Sequence, residues 1–228
     1  MKFSLSNFVS VPCLAALLAI AGSAHADIVD NGTFAGGSGT SIPGWTVTGS
    51  GTTPGIGITA INLGTNATPY GDNIPDINGA TTAAYFVDDN SLATNPETLS
   101  QLITLSANTS YSLTFDLFAT NSGSGNTFNF LLTDGVGSIA SSTFGNGPQA
   151  GATSVPVGVW TLETLNFTTG SSTTPYDLDF VFTSGATPAK DVVLTNVAIA
   201  ATPEPSSFIL LGSGLLAAAG VVRRRIAA

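Results

Sequence analysis

Apolar and polar residues alternate with a period of two along most of this chain. In SYSLTFDLFA (110–119), Tyr111, Leu113, Phe115 and Leu117 share one face, with Ser112, Thr114 and Asp116 opposite. In YDLDFVFT (176–183), Tyr176, Leu178, Phe180 and Phe182 point one way while Asp177 and Asp179 point the other. TFNFLLT (127–133) places Phe128, Phe130 and Leu132 together. Successive strand side chains leave on opposite sides, so this pattern predicts strands with one face in a core. Further strands are expected at 45–49, 55–62, 83–88, 97–105, 138–143, 160–168 and 191–200. Turn residues separate them at Pro43-Gly44, Pro54-Gly55, Asn78-Gly79, Ser122-Gly123 and Gly145-Asn146-Gly147-Pro148. No helical periodicity beyond two turns and no fixed-period repeat interrupts the pattern. About ten short strands predict an all-β fold, an antiparallel jelly-roll-type β-sandwich over residues 27–200 with the aromatic faces as its core. The segments 35–44 and 145–158 read as long exposed loops, and Trp160 as a core residue of a strand alternating into Leu162.

The two ends break the alternation. Lys2 precedes an apolar run from Val11 to Ala21, and Ala24-His25-Ala26 supplies the small residues that signal peptidase reads, so residues 1–26 are a secretory signal cleaved before Asp27. At the other end the fifteen residues Phe208 to Val222 (FILLGSGLLAAAGVV) carry no charge. As a helix they reach about 22 Å, short of a hydrocarbon core of about 30 Å. Counting from Pro205 gives eighteen residues, sufficient if the bilayer thins or the following arginines snorkel. A buried amphipathic helix fits poorly, because the segment is apolar on all sides. The expectation is a transmembrane helix at 208–222, a cytoplasmic basic tail at 223–228 with Arg223, Arg224 and Arg225 held inside by the positive-inside rule, and a linker at 201–207. Residues 27 to about 204 then lie outside the inner membrane.

Composition narrows the chemistry. Residues 27–202 hold one basic residue, Lys190, against thirteen carboxylates. Nucleic-acid binding needs clustered cations to neutralise phosphates and is excluded. The single cysteine, Cys13, and single histidine, His25, fall in the signal peptide. The mature body therefore has no disulfide, thiolate nucleophile, imidazole base or Cys/His zinc site. Unopposed carboxylates repel one another, which divalent cations would relieve, although surface acidity also serves plain solubility.

Three constellations stand against that background. Sugar binding wants an aromatic platform beside polar groups, and Trp45, Tyr70, Tyr85 and Trp160 are the candidates, with Trp45 and Tyr70 the positions expected to contact carbohydrate. Calcium prefers oxygen ligands, and GDNIPDING supplies Asp72, Asn73, Asp76 and Asn78 without matching an EF-hand; Asp88-Asp89-Asn90 is a similar cluster, and a polar turn explains either equally. Glycoside hydrolysis needs paired carboxylates about 5–9.5 Å apart. Asp177 and Asp179 would stand about 6.6–6.8 Å apart on one strand face, but they read as the solvated side of an amphipathic strand, and no catalytic residue is expected. Sequons at Asn31, Asn66, Asn108 and Asn166 follow from abundant Asn, Ser and Thr and are assigned nothing.

Pro203-Glu204-Pro205, the apolar span and the arginine cluster together resemble the PEP-CTERM sorting signal of Gram-negative bacteria. The resemblance implies that an exosortase recognises the tripeptide, and that the cargo is processed and passed to the cell surface or extracellular matrix. A plain anchor that is never cut is the rival. The body more loosely resembles the jelly roll of galactose-binding-like and carbohydrate-binding modules, through Asn31-Gly32-Thr33-Phe34, Pro43-Gly44-Trp45, the segments 99–117 and 158–169, and the closing DVVLTNVAI at 191–199. That likeness implies a structural calcium near the ends of the domain with Asp191 as a ligand, although Ala35 stands where the family often has glutamate. The expected role is structural or adhesive in a biofilm exopolysaccharide, without enzymatic activity; the alternative is carbohydrate binding on the same sandwich.

Overall fold

The computed structural model describes residues 28–49, 56–64, 73–88, 96–120, 127–146, 151–171, 175–183, 191–202, 212–215 and 223. Eleven strands run in chain order as β1 (Thr46–Thr48), β2 (Ile56–Asn62), β3 (Thr82–Asp88), β4 (Glu97–Ile103), β5 (Ser110–Ala119), β6 (Thr127–Thr133), β7 (Ser138–Asn146), β8 (Thr153–Val155), β9 (Thr161–Thr168), β10 (Tyr176–Thr183) and β11 (Val192–Ala201). They form a six-stranded sheet in the order β1-β4-β10-β6-β7-β8 and a five-stranded sheet in the order β2-β3-β11-β5-β9. The pairings are antiparallel apart from β7 with β8. The chain is thus an all-β sandwich, as the alternation predicts.

The inward sets of the two sheets meet in one aromatic core. Tyr111, Leu113, Phe115 and Leu117 of β5 face Tyr176, Leu178, Phe180 and Phe182 of β10, with Phe128, Phe130 and Leu132 of β6 beside them. Phe115 sits edge-on to Phe180 at 5.3 Å and to Phe144 at 5.6 Å, while Phe86 sits edge-on to Phe128 at 5.0 Å. Such tilted contacts suit the ring quadrupole and add to the burial of large rings.

Residues ahead of β1 close one side of the core. Val29 and Phe34 are fully buried. Gln101, on the inward face of β4, accepts from the Asp30 amide at 2.9 Å and donates to the carbonyls of Asp30 at 2.8 Å and Gly44 at 2.7 Å. Asn31 (φ 51°) accepts from the Ala35 amide and donates to the carbonyls of Ala35 and Pro43, which folds the 31–43 loop on itself. Gly32 lies so close to β11 that a Cβ there would stand 1.9 Å from the Val197 carbonyl oxygen, so only glycine fits. The Val197 amide donates to the Gly32 carbonyl at 2.9 Å, at a bulge where the β11–β5 register shifts between Thr195 and Ala198.

Strand directions define two ends of the sandwich. β11 starts at one and finishes at the other, here termed the exit end. There β5 begins, β9 finishes and the chain leaves. Loops 104–109, 134–137 and 169–171 gather at this end, next to Ser110, Thr133 and Thr168.

Some expectations are corrected. The expected exposed loop 145–158 contains β8, whose Val155 is buried against the core, because a parallel pairing with β7 uses the backbone there. Leu162 is 64% exposed rather than inward, since β9 pairs Glu163 with the core residue Phe115 and so turns Leu162 outward beside Asp116. β11 reaches Ala201 and Thr202 still donates to the Ser110 carbonyl at 2.8 Å, so the sandwich takes the first two residues of the expected linker. The signal peptide and most of 208–222 lie outside the described residues, and among those described no helix is long and apolar enough to cross a membrane.

Candidate functional site

The five-stranded sheet is apolar on part of its outer face as well. Ala83, Tyr85 and Val87 of β3, Val193 of β11 and Phe118 of β5 point away from the main core, and Ile61, Leu63, Ile74 and Ala80 pack on them to form a second apolar cluster. Segment 73–80 makes this cover. The Gly64 amide donates to the Ile74 carbonyl at 3.1 Å and the Leu63 amide to the Thr81 carbonyl at 3.0 Å, closing the base of the excursion. Asn196 (φ 53°) in the β11 bulge donates to the Asn78 carbonyl at 3.0 Å and to the Asp116 carboxylate at 2.9 Å. Trp160 packs on Phe118 with ring centroids 5.3 Å apart, and its indole N–H donates to the Pro75 carbonyl at 2.9 Å. The sheet and its cover are therefore tied at both flanks of the segment.

Between them lies an open cleft of about 340 Å³, lined by Asn73, Ile74, Pro75, Phe118, Thr120 and Gly158. Its surface is more polar than apolar, with the Asn73 amide and the Thr120 hydroxyl beside the small exposed parts of Ile74 and Phe118, which offers hydrogen bonds to a polar molecule. None of these lining residues carries a titratable side chain, so they offer no general acid or base. Val157, Val159 and Leu162 are exposed close by in sequence to Trp160.

The positions expected to bind fall in different places. Trp45 is only 8% exposed; its ring packs against Phe34 at 5.3 Å and Phe180 at 6.1 Å, and its indole N–H donates to the Asn31 carbonyl. The core uses its surface, which removes it as a sugar platform. Tyr85 is fully buried and donates its hydroxyl to Asp191 at 2.5 Å. Trp160, expected in the core, is the tryptophan that remains half-exposed. Tyr70 lies outside the described residues.

For calcium, Asp72 is outside the described residues, Asp76 and Asn78 are exposed on the covering segment, and Asp191 is 2% exposed. Asp76 packs over Gly64, where a Cβ would stand 2.2 Å from its carboxylate oxygen. The Asp191 main-chain carbonyl accepts from the Thr120 amide at 3.1 Å. Among the described residues no three Asp, Glu, His or Cys side chains group to hold a metal ion. Asp177 and Asp179 share the outer face of β10, where burial first and the Asp177 charge second push the Asp179 carboxyl above its ordinary value.

Of the sorting residues, Arg223 is exposed, while Pro203, Glu204, Pro205, Arg224 and Arg225 lie outside the described residues, as do Ala24, Ala26 and Asp27.

Comparison with solved structures places the sandwich in the fold class shared by carbohydrate-binding modules and jelly-roll enzymes. An apo cyclase from Fischerella sp. superposes with a TM-score of 0.58 at 14% identity, over 78% of this chain and 96% of that one. TmCBM61 in complex with beta-1,4-galactotriose gives 0.51 at 14% identity, over 78% and 99%. Arabinose-bound MgGH51 α-L-arabinofuranosidase gives 0.50 at 14% identity, over 77% of this chain and 26% of that one. At this identity the likeness is one of fold, which hosts many functions. The chain carries a PEP-CTERM protein-sorting motif at residues 201–225. No curated protein matches the chain in sequence.

Proposed function

We propose that this chain is the precursor of a non-enzymatic sandwich that is exported, processed by an exosortase at Pro203-Glu204-Pro205, and delivered to the cell surface or extracellular matrix of a Gram-negative bacterium. There it acts as a structural or adhesive component of the polysaccharide layer. The observation that carries the reading is the sorting motif at 201–225, which begins where the last strand ends. Signal peptidase acts first; the apolar span then holds the tripeptide at a fixed depth in the inner membrane. The prolines remove backbone donors and resist helix formation, which keeps the motif extended beside the bilayer. Mass spectrometry of the surface protein tests this: a mature chain lacking 208–228 is expected, and an intact 27–228 mass would overturn processing.

The cleft beside Phe118 and Trp160 favours a second reading, carbohydrate binding on the same domain. A polysaccharide affinity gel with residues 27–202 is expected to retard the domain, and Trp160→Ala to abolish the retardation. Unretarded migration on all polysaccharides tried leaves the structural role.

A further inference from the structure

The junction between the sandwich and the sorting motif has almost no slack. Thr202 is still hydrogen-bonded to Ser110, and the uncharged span begins at Phe208. The six Cα–Cα steps between them cover at most about 20 Å, while the nine steps of β11 alone run about 30 Å from end to end. An anchored precursor therefore cannot hang freely from its tail. The end that the chain leaves must stay within about 20 Å of the headgroups, and the surface chemistry of that end then decides whether the domain stands on it or lies on its side.

The surface of the exit end fits the standing arrangement. Its loops, 104–109, 134–137 and 169–171, contribute a single carboxylate, Asp134, of the thirteen in residues 27–202; Asp177 is the next, one residue into β10. Asp134 is turned back onto its own hairpin, accepting from the amides of Val136 and Gly137 at 2.9 Å each. At the tip of that hairpin Val136 is 96% exposed, the most exposed large apolar residue described. The remaining residues of these loops are mainly Ser, Thr, Asn, Gly and Ala, which hydrogen-bond to headgroups without charge repulsion. The N-terminal side reaches the same end: Asp30, three residues past the expected signal-peptide cut, is pinned to Gln101, two residues from that end of β4, and adds one exposed carboxylate set back from the loops.

We infer that the exit end, with the Asp134–Gly137 hairpin foremost, is the face that the sandwich rests on the inner-membrane lipid surface while it awaits processing. The proposal builds on the reading that 208–222 lodges in the bilayer. A consequence is that the peptidase must cut flush against a folded domain.

The test uses the 27–228 precursor in phosphatidylcholine–phosphatidylglycerol vesicles. A fluorophore is placed on Val136→Cys or, at the opposite end, Val159→Cys; each is a unique thiol because Cys13 lies in the leader. With a headgroup-linked quencher, the label at 136 is expected to be quenched several-fold more than the label at 159. A twelve-residue Gly-Ser insertion after Thr202 is expected to erase the difference. Equal quenching without the insertion would overturn the orientation if the protein withstands a carbonate wash. Loss of the protein in that wash would overturn the anchoring reading along with it.

Discussion

On the five-stranded sheet the outward positions of β3, β5 and β11 include Tyr85, Val87, Phe118 and Val193, and segment 73–80 folds over them. On the six-stranded sheet the outward positions of β4, β6 and β10 are mainly polar, among them Thr98, Ser100, Asn129, Thr133, Asp177 and Asp179, with Leu102, Leu131 and Val181 scattered between them, and all stay half-exposed or exposed. Both faces sit on similar inward aromatic layers, so the main core does not explain the difference. The composition of the outward set does. Where large apolar side chains stand side by side, the chain folds an extra segment across them to remove them from water; where isolated apolar residues are interspersed with hydroxyls and carboxylates, the face stays open. The cleft beside Phe118 lies at the margin of the covered region, where Phe118 is closed over on one side and Gly158 leaves room on the other.

This contrast can be broken most directly at Phe118. Replacing it with Ala removes a buried ring that supports both Trp160 and segment 73–80. A loss of about 3–4 kcal/mol is expected in urea unfolding, and a loss below about 1 kcal/mol would mean that the cover adds little stability. The acid response tests the inward carboxylate of the edge strand. Burial pushes the Glu163 carboxyl above its ordinary value of 4.5. A carboxyl whose pKa is higher in the folded than in the unfolded state favours folding when protonated. Its contribution is fully present below the unfolded value and is lost as pH rises through the folded one. Glu163→Gln is therefore expected to raise Tm slightly at pH 7, solvent screening at this edge position keeping the effect small, with the gap to the parent protein closing as pH falls toward 4.5. A gap that stays constant with pH would show that titration is not its cause. The smallest effect belongs to the bare face itself: Ser100→Ala should change stability by less than about 0.5 kcal/mol by the same urea measurement. A larger loss would reveal a partner for that face.

Much of this was legible in the sequence. The strict alternation of β5, β6 and β10 predicts both the strands and the faces that carry the core. The covered outer face also leaves a trace, because AAYFV in β3 and VVL in β11 are apolar at consecutive positions, as strands buried on both sides are. The fate of β9 was harder to read. TLETLNFT offers Leu162 and Leu165 on opposite faces, and only pairing with β5 decides that Glu163 turns inward at an edge. Trp45 and Trp160 exchange the roles expected of them for a similar reason. Each follows a short turn, and whether the indole enters the core depends on contacts from distant residues, Phe180 for one and Pro75 for the other. Calcium rests on the oxygen-rich 72–78 stretch and, for Asp191, on the carbohydrate-module resemblance: Asp72 lies outside the described residues, Asp76 is exposed, and Asp191 is 2% exposed and accepts from the Tyr85 hydroxyl.

The Gln101 clamp on Asp30 bears on how long such a protein lasts outside a cell. Val29 is sealed in the core and Asp30 is held on both its amide and its carbonyl. If the leader is removed before Asp27, only two residues precede Val29. Aminopeptidases, which need several extended residues to grip, would find little to digest. A domain trimmed so closely can persist among secreted proteases without a single disulfide.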